Sequence, residues 1–484
     1  MKHRPSLLGL LGAVTCIGGC SIVFGSGDYT GGGSDGGDDA SEDAAGDAEA
    51  PDHIVPSHLV DRDVVIAAAE ATVPEFLTGY AYLLNTDTKQ IVRCAWGGPE
   101  DPLPSECAED ATAYPLAIES QQEGDLQVAV FAVKAFTIPE GAVLVVGGTH
   151  PLVIVSAGDI TIDGVIYAGV TGGPGPGGTF GMETRDGGGL LIAPAYACQS
   201  DGGGGDPATS LLPALRVAGQ GECGRFTTGA GAGGGGGGGH AGLGGLGGTG
   251  SPDAPPSSGG GGGAVQNIVS SVGTLAGGAG GGAGGFATLF TRRPRGGHGG
   301  GAVQLTSDGK ITIGAMGGVL APGGPGEAGG LTEAPTEITG GGGGGAGGTV
   351  FLEAREIEIA GFVSVNGGGG GGGDAATDER RASPGGPAKP TEAATGGAGV
   401  DDDGFPPDGE GGAGGDGSFG TKLQGRPGEG KTNLNSVRAG GGGGGAAGRI
   451  FLRAGDVTYV DGSVVSPSPT SSAVSVESPE FFSP

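Results

Sequence analysis

Residues Ala346–Gly373 read AGGTVFLEAREIEIAGFVSVNGGGGGGG. The stretch holds three short apolar-alternating segments, at Val350–Leu352, Ile357–Ile359 and Phe362–Val365, separated by tight polar or glycine joints. Apolar residues spaced two apart demand strands, because successive side chains of a strand point to opposite faces. A strand of three to five residues cannot bury its inward face alone, whereas stacked copies can.

The pattern recurs. Copies lie at Pro151–Gly169 (PLVIVSAGDITIDGVIYAG), Gly301–Ala321 (GAVQLTSDGKITIGAMGGVLA) and Gly448–Ser466 (GRIFLRAGDVTYVDGSVVS), with a weaker copy around Ala264–Leu275. Alternation places Val153/Val155, Val303/Leu305, Val350/Leu352 and Ile450/Leu452 on one face. Ile160/Ile162, Ile311/Ile313, Ile357/Ile359 and Val457/Tyr459 follow in the second segment. Three strands per unit joined by tight corners predict an all-β fold, a parallel β-helix or β-solenoid over residues 143–466. Equivalent residues of adjacent coils would then lie about 4.8 Å apart in ladders. An antiparallel sandwich would explain the strands but not the repeated three-strand grammar.

The spacing between units is uneven, so excursions of different length leave the stack. They carry glycine runs at 233–239, 259–263, 340–345, 367–373 and 440–445. Glycine makes up 121 of 484 residues and lacks the strict every-third recurrence of collagen. The runs resemble the polyglycine-II bundles of some glycine-rich antifreeze and phage-adhesin domains, in which extended three-residue helices pack side by side. Flexible linkers are the competing reading. Segments 374–410 and 416–438 read as exposed loops, and 467–484 as a Ser/Pro-rich tail, disordered beyond a last short strand.

Before the units, residues 53–142 read as a small β cap, since a stack must cover its terminal apolar faces. Phe76–Leu84 and Gln90–Ala95 read as strands around the turn at 85–88, and Leu126–Phe136 as another. Leu59–Val73 is compatible with a helix or a strand.

The N-terminus reads as an address. Lys2, His3 and Arg4 precede an apolar run, Leu7–Val14, that is too short to cross a bilayer and has the length of a signal-peptide core. The run ends at Ile17-Gly18-Gly19-Cys20, which resembles the bacterial lipobox. That resemblance implies a signal peptide over 1–19 and lipidation, such as palmitate, at Cys20. With Ser21 following the cysteine, it also implies sorting to the outer membrane, the protein being lipid-anchored and periplasmic or surface-exposed. Residues 20–52 then form an acidic, glycine-rich disordered tether.

Of six cysteines, Cys16 leaves with the signal and Cys20 takes lipid, so Cys94, Cys107, Cys198 and Cys223 remain as disulfide candidates. The local pairs Cys94–Cys107 and Cys198–Cys223 are the simplest of three connectivities. Acidic residues outnumber basic ones 53 to 23, for a net charge of −30. That balance argues against nucleic acid as a partner.

Catalytic motifs are weak. Gly425–Thr432 (GRPGEGKT) matches the phosphate-binding P-loop pattern letter for letter. It lacks a buried strand before it and a propagating helix after it, so no nucleotide is expected. Gly411–Phe419 (GGAGGDGSF) nearly fits a calcium nonapeptide, but Ser418 stands where an apolar residue belongs. The Asp401–Gly404 run lacks the other ligands of a calcium loop. His240 and His298 sit inside glycine runs and read as solvated loop residues. Neither cofactor nor metal is expected. On the outer face, Asp159, Lys310, Glu356 and Asp456 precede the second strands as weak candidates for a polysaccharide-active site, and Glu353 and Arg453 would form a ladder pair.

Taken with the lipobox, the repeats resemble the glycine-rich, β-helical lipoproteins of predatory Gram-negative bacteria, which carry no signature of a known activity. The resulting expectation is a non-catalytic, surface-tethered structural or adhesive lipoprotein whose partner is an extracellular polysaccharide or another surface protein. The alternative is a polysaccharide lyase or hydrolase on the same scaffold.

Overall fold

Val and Ile dominate the short segments, and branched side chains fit a pleated surface better than a helix. In the computed structural model they form strands almost throughout. Residues 53–59, 64–71, 75–95, 106–113, 116–121, 127–169, 175–176, 222, 224, 232–250, 258–265, 274–285, 294–330, 338–375, 382–400, 411–430 and 438–482 are described. One short helix, α1 (Val64–Ala68), lies in the segment the sequence left open.

Five units share one arrangement. The first is β6 (Gln127–Val133), β7 (Phe136–Ile138) and β8 (Val143–Gly147). The second is β9 (Leu152–Ser156), β10 (Ile160–Ile162) and β11 (Val165–Tyr167). The third is β12 (Ala302–Ser307), β13 (Lys310–Ile313) and β14 (Gly318–Leu320). In the last two, the first two segments fuse into single strands, β15 (Thr349–Ile359) and β17 (Arg449–Tyr459), followed by β16 (Phe362–Ser364) and β18 (Val464–Ser466). Corresponding strands pair in parallel from unit to unit.

The sheets themselves are mixed. β2 (Tyr80–Asn85) joins β8 in parallel but pairs with β3 (Gln90–Ala95) antiparallel, and β4 (Glu106–Ala113) continues antiparallel from β3. Likewise β5 (Ala117–Ser120) pairs antiparallel with β6. A ten-stranded and an eight-stranded sheet result.

Two expectations need correction. The first unit begins before residue 143: β6 and β7 precede it and β8 completes a set of three strands, where the sequence suggested a cap. Most of the weaker copy around Ala264–Leu275 lies outside the described residues. And Leu152/Ile154, not Val153/Val155, stand in register with Val303/Leu305. The slip has a physical cause. LVIVS is buried on both faces, so alternation does not say which face is the interior. Leu152 and Ile154 belong to the main core with Ile160, Val303, Leu305 and Ile311. Val153 and Val155 face a second apolar layer made with Leu59, Val64, Val65 and Phe351. The second-strand rows stand as expected, Ile160, Ile311, Ile357 and Val457 in register, with Phe136 added. Each such aliphatic side chain contributes about 1.5–3 kcal/mol on burial.

The tail is structured over most of its length. β19 (Val474–Glu477) pairs with β17, and β20 (Phe481–Phe482) closes against β1 (His53–Ile54), joining the two ends of the folded chain.

The glycine runs at 233–239, 340–345, 367–373 and 440–445 are buried, that at 259–263 is partly so, and all are hydrogen-bonded. Along 340–348, every third amide reaches the same neighbour. Gly340, Gly343 and Ala346 donate to Gly285, Gly282 and Ala279. Gly341, Gly344 and Gly347 donate to Gly440, Gly443 and Ala446. Gly342, Gly345 and Gly348 donate to Glu327, Gly324 and Ala321. The run thus has three neighbours, reached in rotation. Side chains are excluded on every side: a Cβ on Gly342 would lie 2.0 Å from the Arg295 carbonyl oxygen, and one on Gly343 would lie 2.0 Å from that of Gly236. Described parts of the expected loops, 382–400 and 416–430, join the same network, as in Gly397 to Gly370 and Gly428 to Leu246.

Candidate functional site

Three polar clusters stand out. The first is a clasp over the outer face of the ten-stranded sheet. Thr306, Glu353, Arg453 and Glu477 form one ladder across β12, β15, β17 and β19. The segment after the expected tether lies on this ladder. Ser57 gives its hydroxyl to one oxygen of Glu353 at 2.6 Å and its amide to the other at 3.1 Å. Thr306 Oγ1 donates to Glu353 at 3.2 Å, and Arg453 Nη1 approaches it at 3.3 Å. Arg453 Nη2 also holds Glu480 at 2.8 Å. Nearby, Asp308 accepts from the Ile54 amide at 3.1 Å and meets His53 at 2.6 Å.

Glu353 is fully buried. Burial pushes its carboxyl up to about 7, against the opposing pull of the Ser57 hydroxyl and the Arg453 charge. Of this cluster, the sequence offered only the Glu353–Arg453 pair. His53, Ser57 and Glu480 lie far from it along the chain, and no local pattern marks a segment that folds back from either end.

The second cluster is the charged row on the second strands. Lys310, Glu356 and Asp456 stand in register, and Asp159 Oδ1 accepts the Lys310 amide at 2.9 Å. The four expected residues are therefore neighbours. Lys310 Nζ, however, pairs with Glu358 at 2.5 Å. Its proton is held more firmly than usual, chiefly by that hydrogen bond. Parallel strands hold these carboxylates in a line along an exposed face. General acid/base cleavage of a glycosidic bond needs two carboxylates converging on that bond.

The third cluster is a hollow of about 390 Å³ at the hairpin Phe419–Lys422, lined by Asp416, Phe419, Thr421, Lys422, Gln424 and Arg426 among others. Phe419 and Lys422 exchange backbone hydrogen bonds at 3.1 and 3.0 Å, and Gly420 takes φ +60°, a turn conformation that favours glycine. Asp416 Oδ2 pairs with Arg426 at 3.0 Å, and its Oδ1 accepts the Gly396 amide at 3.0 Å. The carboxylate of the near-nonapeptide is thus engaged within the protein.

The remaining motifs resolve simply. Residues 425–430 are extended, with Gly425 and Gly428 bonded to Leu243 and Leu246; Lys431 and Thr432 lie outside the described residues. Ser418 is buried and accepts the Gly367 amide at 3.0 Å. His240 is not solvated: it is fully buried, and its Nδ1 lies 2.9 Å from the Gly347 carbonyl. Burial lowers its pKa to about 4, and burial followed by the Arg295 charge does the same to His298. Ala279, Ala283, Ala346 and Ala446, carried by such runs, are fully buried as well. Cys94 and Cys107 are direct register partners on β3 and β4. Cys20, Cys198, Cys223 and Asp401–Gly404 lie outside the described residues. Among the described residues no group of three His, Cys, Asp or Glu side chains could hold a metal ion, and no helix is long and apolar enough to cross a membrane. Compared with family models, curated proteins and solved structures, the chain matches none.

Proposed function

We propose that the chain is a non-catalytic structural or adhesive lipoprotein, held at the outer membrane through Cys20 and displaying a rigid body that binds extracellular polysaccharide. In this reading the parallel units are coils of a β-solenoid, and the glycine runs form a polyglycine-II bundle fused to its side. The observation that carries it is the rotation of amide donors along 340–348 to three neighbours in turn. A run with three residues per turn aims its amides in three directions, and a flexible linker would leave them to solvent. The clasp supports the same reading, since it binds the segment beyond the tether to two units and to the C-terminus. The charged row, lying in a line without convergent carboxylates, favours a non-catalytic role over a lyase or hydrolase.

The test is a screen of the purified full-length chain against acidic polysaccharides, reading both retention and cleavage. Retention without cleavage is expected, unchanged by Asp159→Asn or Glu356→Gln. Metal-dependent cleavage that disappears with either substitution would replace this reading with the enzymatic one.

A further inference from the structure

The hollow at Phe419–Lys422 carries more basic than acidic side chains in its lining. The chain carries −30 overall. The hollow is lined by two cations, Lys422 and Arg426, against the single carboxylate of Asp416. Arg426 is already paired with Asp416. Lys422 is exposed and has no carboxylate partner among the described residues. A locally positive recess in an acidic chain concentrates anions at that point and repels them elsewhere.

The recess is also built rather than incidental. Gly417 and Ser418 donate to Ala394 and Gly445, Arg426 donates to Asp416, and Gly425 donates to Leu243, so the walls are fastened to separate glycine runs. Gly420 receives a hydrogen bond from the Ser468 amide and gives its own amide to Ser466 Oγ, 3.0 Å away. Ser466 in turn donates to Asn366 Oδ1 at 2.6 Å. The hairpin is thereby tied to the last units of the stack. A recess fixed before binding loses little entropy when a ligand enters.

Its lining suits one ligand chemistry. Phe419 supplies an apolar aromatic surface for the C–H side of a sugar ring. Thr421 and Gln424 supply hydroxyl and amide groups able to bond ring hydroxyls. Lys422, with Arg426 beside it, supplies a charge-assisted donor for a carboxylate. The volume falls at the lower end of the about 300–1,000 Å³ of small-molecule sites. We propose that this hollow is the binding subsite for a carboxylated sugar, a hexuronate unit of an acidic polysaccharide. The assignment rests on the polysaccharide-binding reading above and names its site and its ligand class.

Titration calorimetry of the full-length chain with a short oligogalacturonate, a neutral gluco-oligosaccharide and a sulfated dextran tests it. The expected result is binding of the oligogalacturonate only, weakened at least tenfold by Lys422→Glu and severalfold by Phe419→Ala. Lys422 is exposed, so its variant should melt with the wild type, and that control separates lost binding from lost folding. Equal binding of the neutral sugar or the sulfated polymer would overturn the uronate assignment. Binding of oligogalacturonate unaffected by Lys422→Glu and Arg426→Gln would remove the site and leave the polysaccharide reading standing. Absence of binding to every polymer would remove both.

Discussion

Glu353 and Arg453 are register partners on β15 and β17, buried and 3.3 Å apart, and the hydroxyl of Ser57 bonds to both. One ladder pair therefore joins two units to the segment that follows the expected tether. Removing one member of a buried ion pair leaves the other charge without compensation, at a cost of about 3–5 kcal/mol. Arg453→Met should lose that much at pH 8 in chemical denaturation, and markedly less at pH 5, where Glu353 accepts a proton.

The same carboxyl sets a pH dependence. It titrates near 4.5 when unfolded and about 7 when folded, raised chiefly by burial. Between those values the folded chain holds a proton that the unfolded chain has released. The contribution of Glu353 to stability therefore falls as pH rises from about 4.5 to about 7, and is flat above. In Glu353→Gln this component is absent. The stability difference, wild type minus variant, should decline across that window and then level off. A difference that stays flat across that window would mean that Glu353 is already charged there in the folded chain.

The close packing of the glycine runs predicts an unusual intolerance. Gly343→Ala sets a methyl against the backbone of Gly236, and Gly442→Ala sets one 2.0 Å from the Gly342 carbonyl oxygen. Backbone cannot yield as a side chain can, so each should cost about 1–3 kcal/mol or more, the range of overpacked cores. Thermal or chemical denaturation reads the loss. In a linker, the same changes would be neutral or slightly stabilising.

Cys94 and Cys107 are direct register partners across an antiparallel pair, a backbone separation that a disulfide can span. Peptide mapping of the unreduced protein should recover these two residues in one cross-linked species. Replacing both with serine should cost about 2–4 kcal/mol.

Lipidation has its own readout. Cys20→Ser should move the protein from the membrane fraction to the soluble one. Retention in the membrane fraction would contradict lipid anchoring at that residue.

How much of this was legible in the sequence varied with how local the cause was. The second strands could be read directly, because ITI, ITI and IEI alternate cleanly between an apolar interior and a polar outside. LVIVS could not, because a second apolar layer covers its outer face. The ladder of Asp159, Lys310, Glu356 and Asp456 followed from repeat spacing alone. The clasp did not, since Ser57 and Glu480 meet Arg453 only through the course of the whole chain. Nor did the hollow, whose lining segment 416–426 is held by hydrogen bonds to Ala394, Gly445 and Leu243, partners that no local pattern marks. A glycine run carries no side-chain pattern, so which runs meet, and in which register, is decided by packing.

The central claim is that the glycine runs are ordered, hydrogen-bonded structure. Amide hydrogen exchange over residues 340–345 and 440–445 tests it most directly. These amides bond to neighbouring runs within the buried interior. They should exchange as slowly as those of β12 and β15 and be released with them in a cooperative opening. Exchange at the rate of an unstructured peptide, while the strands stay protected, would contradict the account.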